Sequence, residues 1–247
     1  MTPNLSVNLN KVALIRNSRG ADYPNLVQVA RDCESFGAQG ITIHPRPDQR
    51  HARYDDVAAL KEIVTTELNV EGYPTERFLS VVLEHRPDQV TLVPDEPGQL
   101  TSDHGWDTIG RADFLRGVIG RLKAAGIRTS IFVDPDRAML EGAAAVGTDR
   151  IEFYTGPFAN NYATDRAAAV RPFSEACRGA QGLGLGINAG HDLNLNNLAY
   201  FTAQMPGLQE VSIGHALVSD ALYLGLKNTI QQYLRCLEEG ARVAEGA

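Results

Sequence analysis

Short β-rich runs alternate with longer helical patterns along the whole chain, and this alternation limits the possible folds more than any other feature. In the helical stretches, apolar residues recur every three or four positions, and several stretches end in glycine, as helices often do. Eight strands, each followed by a helix, in 247 residues are typical of a (β/α)8 barrel. The predicted strands cover residues 5–10, 40–45, 68–73, 89–94, 128–135, 150–156, 183–190 and 210–215.

We therefore predict an α/β protein with a single domain over residues 1–247, a (β/α)8 or TIM barrel with extra helices. An open, doubly wound sheet is the alternative, but such a sheet normally carries a glycine-rich turn after its first strand. Here the first strand leads into "NLNKVALIRNSRG", which lacks a GxGxxG pattern. The last helical stretch, 216–244, is long and is a candidate surface for packing on a neighbouring subunit.

The charge balance narrows the classes of ligand. The net charge is −7 and no run of lysines or arginines occurs, which argues against nucleic acid and membranes as partners. Three separated cysteines without a CxxC pair indicate reduced thiols in a cytoplasmic protein. The N-terminus lacks the features of a signal peptide, and no window approaches roughly 18 consecutive apolar residues. We expect a cytoplasmic protein that binds small anionic ligands.

Proton-transferring side chains stand at the ends of the predicted strands, where barrel enzymes hold their active sites. They are His44, Glu71, Glu152 and His191. A carboxylate inside a short apolar strand is costly to bury unpaired, so Glu71 and Glu152 indicate either a cation partner or a titrating role. His191 lies in the glycine-flanked "NAGHDL", where nothing requires packing, which favours function. His44 could instead be a core histidine bonded to a backbone carbonyl.

Phosphate sites need backbone N–H groups at a helix start, often beside glycine. The segments "NAGHD" after strand 7 and "IGHAL" after strand 8 fit this pattern, and barrels commonly bind phosphate there. Arg19 after strand 1, and Arg46 with Arg50 after strand 2, could bind a second phosphate through bidentate contacts. Two separated anion sites that flank histidines and glutamates predict two small phosphorylated substrates.

A metal site and a Schiff-base aldolase are two other functions that use these residue types. The chain has no HxH, HExxH or HxxxH pattern, so a metal site would need long-range assembly, and we expect no metal. A Schiff-base aldolase needs a desolvated lysine, and Lys11 is the only lysine near the carboxyl end of a predicted strand. An aldolase acting through Lys11, and a phosphate-binding barrel without catalysis, therefore stay open.

The chain resembles the pyridoxine 5′-phosphate synthase family in a series of motifs that follow the same order over nearly its whole length. These motifs are "SVNLNKVALIRNSRG", "GITIHPRPDQRH", "NVEGYPT", "RIEFYTGPFA", "GINAGH" and "SIGHALVSDAL". The resemblance implies a (β/α)8 barrel assembled as a homo-octamer. It also implies condensation of 1-deoxy-D-xylulose 5-phosphate with 3-amino-2-oxopropyl phosphate to pyridoxine 5′-phosphate, phosphate and water, without a cofactor, in vitamin B6 biosynthesis.

The resemblance also assigns roles to individual residues. It implies that His44 and Glu71 accept protons, that His191 donates one, and that Glu152 stabilises a transition state. The residues implied to hold the aminoketone phosphate are Asn8, Arg19, Gly214 and His215. Those implied to hold the deoxyxylulose phosphate are Arg46, His51 and Thr101. Arg50 is left with no role beyond an ion pair at the surface.

Two departures from the commonest family pattern concern substrate contacts. After strand 1 the family usually has Asn-x-Asp-His, whereas this chain has Asn8, Leu9, Asn10 and Lys11. The glycine that usually follows the donor histidine is Asp192 here. One branch of the family carries the Asn-Lys variant, and the chain resembles that branch. We therefore include Asn10, Lys11 and Asp192 among the expected substrate-binding residues.

Overall fold

Eight parallel strands close into a barrel in chain order, as shown by a computed structural model that describes residues 1–95 and 102–246. The strands are β1 (Asn4–Asn8), β2 (Gly40–Ile43), β3 (Leu68–Gly72), β4 (Gln89–Leu92), β5 (Arg128–Val133), β6 (Arg150–Tyr154), β7 (Gly186–Gly190) and β8 (Leu208–Ile213). The predicted barrel and all eight predicted strands are confirmed. Most predicted strands run past the observed carboxyl end, because the residues there already belong to the loops that form the cavity described below.

The helices are α1 (Asn10–Asn17), α2 (Leu26–Ser35), α3 (Tyr54–Lys61), α4 (Glu76–His85), α5 (Ala112–Ala124), α6 (Arg137–Val146), α7 (Gly156–Gly182), α8 (Leu198–Gln204), α9 (His215–Leu224) and α10 (Leu226–Glu245). The predicted stretch 216–244 is therefore two helices, separated by Gly225 at a φ of 75°. A kink divides α7 at Asp165, whose Oδ1 accepts the N–H groups of Ala167 and Ala168. No helix in these two described ranges is long and apolar enough to cross a membrane.

A hydrogen-bonded polar layer occupies the inside of the barrel below its carboxyl end. The Ser6 and Thr42 hydroxyls lie 2.7 Å apart, and Thr91 donates to Asn69 Oδ1 at 3.0 Å. Their apolar sequence neighbours, such as Leu5, belong to the buried hydrophobic core. Because successive side chains of a strand point to opposite faces, the next inward positions after this layer lie at the mouth of the barrel. Those positions include Asn8, His44 and Glu71.

Side-chain caps fix the residue at which several helices begin after the barrel loops. Asn25 accepts the N–H of Gln28 at 2.8 Å at the start of α2, and Thr75 accepts the N–H of Phe78 at 3.1 Å at the start of α4. Asp136 does the same for α6. Each cap satisfies a backbone donor that the first helical turn leaves without a partner.

Candidate active site

A cavity of about 790 Å³ opens at the carboxyl ends of the strands. That volume lies in the range typical of small-molecule sites. It contains twelve of the fourteen residues that the sequence assigned to catalysis or binding. They are Asn8, Asn10, Lys11, His44, Arg46, His51, Glu71, Glu152, His191, Asp192, Gly214 and His215.

Two assigned residues lie elsewhere. Arg19 is exposed in the turn after α1 and does not line the cavity, so the expectation that it meets a ligand in the site of its own chain is not supported. The end of α1 lies against the loop after β2, where Asn17 Nδ2 donates to the His51 carbonyl at 2.7 Å, but the Arg19 side chain beyond it is exposed. Thr101 lies outside the described residues.

Sequence reasoning missed several lining residues: Ser102, Phe132, Asn160, Asn194 and Ser212. Arg50 was interpreted as a surface residue. It does pair with Asp48 at 3.5 Å, but it also lines the cavity. The alternation of inward and outward side chains along a strand could have predicted Phe132 and Ser212. Each lies two positions after a polar residue that points inward.

His44 and Glu71 form the centre of the site. His44 Nδ1 lies 3.8 Å from Glu71 Oε2, and Asn8 Nδ2 donates to the same oxygen at 3.5 Å. The backbone N–H of His44 donates to Asn10 Oδ1 at 2.8 Å, and Asn10 in turn donates its N–H to Asn8 Oδ1 at 3.0 Å. The two asparagines at the carboxyl end of β1 therefore fix the imidazole and the carboxyl group next to each other. The His44 ring faces the cavity rather than the outer core.

Burial sets the ionisation of this pair. Desolvation raises the pKa of Glu71 to about 7. It lowers the pKa of His44 well below the usual value, and the nearby cationic Arg46 lowers it further. At neutral pH His44 is therefore an uncharged proton acceptor, and Glu71 exists in both protonation states. Glu71 can therefore take up and return a proton near neutral pH without a large energetic penalty, whereas neutral His44 has a ring nitrogen free to accept one.

Glu152 on β6 is buried, and its Oε2 has no hydrogen-bond partner among the described residues. Burial raises its pKa well above the usual value, and the carboxyl groups of Glu71 and Glu210 raise it further. Burial therefore favours the protonated, neutral form of Glu152, which can donate a hydrogen bond to a ligand. Gly190 on β7 packs directly on it, since a Cβ at that position would lie 2.3 Å from Glu152 Oε1.

We expect Gly190→Ala to displace the Glu152 carboxyl group. Overpacking of this kind costs about 1–3 kcal/mol of stability, and an ångström-scale shift of a catalytic group costs about 10²-fold in rate. Steady-state kinetics and urea unfolding would measure both. Gly117→Ala in α5, where an added Cβ meets nothing within 4 Å, is the matched control and should slightly stabilise the protein. Equal activities of the two variants would contradict this packing.

Cationic and neutral donors gather at one end of the cavity. Arg46 forms a buried ion pair with Asp95, which also accepts the Ser102 hydroxyl at 2.7 Å. His51 Nδ1 accepts the backbone N–H of Ala52 at 2.9 Å, so its proton lies on Nε2 when the ring is neutral. Burial and the nearby Arg46 lower the pKa of His51 to about 4, which keeps the ring neutral at pH 7. This arrangement suits an anionic group such as phosphate.

His191 and the start of α9 form the opposite end. His191 follows the last residue of β7 and its ring lies edge-on to Tyr154, with the centroids 5.4 Å apart. Gly214 caps α9, which begins at His215, so the helix N-terminus opens into the cavity as the sequence predicted. Backbone N–H groups at such a terminus favour an anion.

A metal site would need several ligating side chains close together. Over residues 1–95 and 102–246, no three His, Cys, Asp or Glu side chains are grouped so that they could hold a metal ion. The expectations of no metal and no cofactor stay predictions.

The chain is similar to some known proteins in sequence and to others in fold alone. A family model described as "Pyridoxal phosphate biosynthesis protein PdxJ" matches residues 5–239. The chain is 60% identical to the pyridoxine 5′-phosphate synthase of Bacteroides fragilis (strain YCH46) over 94% of its own length and 98% of that protein. It is 57% identical to the protein of the same name from Christiangramia forsetii, over 95% and 99% of the two chains.

Solved structures share the fold at lower sequence identity. Thiamine phosphate pyrophosphorylase from Pyrococcus furiosus has a TM-score of 0.64 and 14% identity and covers 96% of both chains. An open form of tryptophan synthase from M. tuberculosis has a TM-score of 0.63 and 15% identity over 98% of this chain and 93% of that one. These structures support the barrel fold alone. The family model and the curated relatives cover nearly the entire chain, and the chain therefore belongs to the PdxJ family of pyridoxal phosphate biosynthesis proteins.

Proposed function

We propose that this chain has pyridoxine 5′-phosphate synthase activity and condenses 1-deoxy-D-xylulose 5-phosphate with 3-amino-2-oxopropyl phosphate. The products are pyridoxine 5′-phosphate, inorganic phosphate and water. The observation that carries this proposal is the His44–Glu71 pair, which shares one cavity with Glu152 and His191. The relatives named pyridoxine 5′-phosphate synthase support it independently.

Ring closure from these two substrates moves protons at several separated atoms. The amine of the aminoketone attacks the ketone of the deoxyxylulose phosphate, and loss of water gives an imine without help from an enzyme lysine. Neutral His44 suits the acceptance of a proton, and Glu71, with a pKa of about 7, suits a proton that is taken and returned. Neutral Glu152 can donate a hydrogen bond to an oxygen on which charge develops. His191 is the proposed proton donor.

The two ends of the cavity would hold the two phosphates. Arg46, Arg50 and His51 line one end and fit the phosphate of the deoxyxylulose substrate. Gly214 and His215, at the N-terminus of α9, fit the phosphate of the aminoketone. The reacting carbonyl and amine would then meet between them, next to Glu71 and the asparagines that position it.

Lys11 is the test case for the aldolase alternative. It lines the cavity but is partly exposed, whereas a Schiff-base lysine is normally desolvated. We expect the protein to form pyridoxine 5′-phosphate, followed by its absorbance, from the two phosphorylated substrates. We also expect borohydride to leave no substrate adduct on Lys11 in peptide mass spectrometry. A trapped adduct without product would favour the aldolase, and binding of both phosphates without either would favour the non-catalytic barrel.

We also infer a homo-oligomer. Large apolar side chains of α1 and α9 face solvent in the single chain, among them Leu222 at 75% and Tyr223 at 90% exposure. Contiguous exposed apolar side chains commonly mark protein–protein contacts. The octamer and the cytoplasmic location implied by the sequence stay predictions.

A further inference from the structure

The peptide between Gly190 and His191 has an unusual backbone conformation. The φ of His191 is 86°, in the left-handed region that a residue with a side chain rarely adopts. A half-turn of this peptide would return φ to the usual negative range, because such a flip changes ψ of Gly190 and φ of His191 together. Glycine tolerates nearly every backbone torsion, so Gly190 does not oppose the flip. Contacts from elsewhere in the fold must therefore hold the peptide in its observed orientation.

Thr155 holds the atom that a flip would displace most, the carbonyl oxygen of Gly190. Its hydroxyl donates to this oxygen at 2.6 Å, and its backbone N–H donates to the same oxygen at 3.3 Å. The backbone bond extends the pairing of β6 with β7, in which Tyr154 lies opposite Gly190. The hydroxyl bond depends on the residue type, and it lies in a fully buried position where water does not compete with it.

The Thr155 hydroxyl is also diverted from its usual role. Thr155 is the N-cap of α7, and its carbonyl accepts the N–H of Ala159 at 3.0 Å. A threonine at this position usually accepts a backbone N–H of the first helical turn through its side chain. Within the described start of α7, the Thr155 side chain makes no such cap. The side chain is directed at β7 instead of at its own helix.

Two groups of the site depend on the peptide that Thr155 holds. The His191 ring lies between Tyr154 and Phe132, with centroid distances of 5.4 and 6.2 Å. Glu152 packs on Gly190, since a Cβ added there would lie 2.3 Å from Glu152 Oε1. A flip would change the direction in which the His191 side chain leaves the backbone and would disturb the surface on which Glu152 packs.

We propose that Thr155 is a positioning residue whose hydroxyl holds the Gly190–His191 peptide in one orientation and so directs the His191 side chain into the cavity. Thr155 is not among the residues that line this cavity, so it acts through His191 rather than on the ligand. The restraint on the peptide is independent of the function proposed above, whereas its catalytic consequence rests on that function.

The first experiment needs no substrate. Thr155→Ser keeps the hydroxyl and Thr155→Ala removes it, so these two variants differ from each other by that group alone. Hydrogen–deuterium exchange with peptide mass spectrometry would follow the Leu193 N–H, which donates to the His191 carbonyl at 2.9 Å. We expect this amide to exchange about five- to tenfold faster in Thr155→Ala than in Thr155→Ser, the factor that one lost hydrogen bond is usually worth.

The second experiment uses synthase activity. We expect Thr155→Ser to keep a kcat close to that of the wild type and Thr155→Ala to have a kcat about 10–10²-fold lower, because small misplacements of a catalytic group cost rates of this order. The KM for each phosphorylated substrate should stay the same, since the groups proposed to hold the two phosphates are unchanged. A general loss of structure would not produce this separation of kcat from KM or its rescue by serine.

Thr148→Ala is the matched control. Thr148 lies just before β6, at the opposite end of the same strand, and its buried hydroxyl donates to the Arg150 carbonyl at 3.0 Å. We expect Thr148→Ala to leave Leu193 exchange and kcat at their wild-type values. Thr155→Val, which places a methyl group where the hydroxyl lies, is the second variant if Thr155→Ala does not fold, and it should show the same two losses.

The two experiments fail in distinguishable ways. Equal Leu193 exchange in Thr155→Ala and Thr155→Ser would overturn the proposal, whether or not the protein is a synthase. Equal kcat in these two variants of an active enzyme would overturn the catalytic part of the proposal. A wild-type protein that forms no pyridoxine 5′-phosphate would contradict the proposed function, and the exchange comparison would still decide whether Thr155 restrains the peptide.

Discussion

Replacing Glu71 with glutamine is expected to lower kcat by about 10²–10⁴-fold while both phosphorylated substrates still bind. Glutamine keeps the size of the side chain and can still accept the Asn8 amide, but it cannot take up a proton. General acid–base catalysis by one positioned group is usually worth a factor of this size. Steady-state kinetics would give kcat, and calorimetric titration with each substrate alone would give the affinities.

Glu76→Gln provides the matched control, because Glu76 is exposed on α4 and pairs only with Arg121 among the contacts described for its carboxylate. We expect its kcat to equal that of the wild type. A Glu71→Gln variant that keeps kcat within about threefold of wild type would remove Glu71 from the mechanism.

The same substitution should change how stability depends on pH. Folding raises the pKa of Glu71 from its usual value to about 7, so the folded state binds this proton more tightly than the unfolded state. This group therefore stabilises the fold most below its unfolded pKa, and that contribution is lost as the pH rises towards about 7. The loss should amount to roughly 2–4 kcal/mol by pH 8. Urea unfolding at pH 5 and pH 8 should show a loss that is smaller by about this amount in Glu71→Gln than in the wild type, because the raised pKa values of Glu152 and Glu210 add a loss of their own in both proteins.

The second large effect concerns the buried pair of Arg46 and Asp95. Their side chains are 7% and 3% exposed, so Asp95→Ala leaves a guanidinium in the interior with its main counter-charge removed. We expect the free energy of unfolding to fall by about 3–5 kcal/mol. Glu141→Ala, which breaks an exposed ion pair with Arg137 on α6, should leave it nearly unchanged.

The double variant Arg46→Met, Asp95→Ala separates stability from binding. Because both charges are removed together, it should be more stable than Asp95→Ala alone. It should nevertheless lose affinity for the deoxyxylulose phosphate by at least about tenfold, since the guanidinium that faces the cavity is gone. Chemical unfolding and calorimetric titration would measure the two quantities. A double variant less stable than Asp95→Ala would contradict the role of Asp95 as the counter-charge.

The sequence was sufficient to predict the barrel, because alternation of period two within strands and of three to four residues within helices is dictated by which faces are buried. The same alternation explains why most of the assigned side chains line one cavity. Once Ser6 or Thr42 points inward, Asn8 or His44 must lie at the mouth. The resemblance to a known family then added chemical roles that geometry alone does not distinguish.

What could not be predicted depends on contacts between distant parts of the chain. Asp95 follows Arg46 by 49 positions, and no spacing reveals their pairing. Arg19 has a side chain suited to phosphate, but it lies in the exposed turn after α1 and does not line the cavity. The break at Gly225 could not be predicted, because Gly240 in the same stretch lies inside α10 without ending it. Arg50 directly precedes His51, and this position already indicated that its side chain could line the cavity.

Closure of the barrel by β1 and β8 affects the rate at which the active site forms during folding. β1 pairs with β8, Val7 with Ile213, and the Asn8 side chain lies against Gly214. Since Asn8, Gly214 and His215 line the same cavity, that cavity is complete only when the two ends of the chain have met. Such distant contacts form slowly because the intervening loop must lose its entropy first. During refolding, enzymatic activity should therefore report the final joining of the barrel, whereas helical circular dichroism should return earlier.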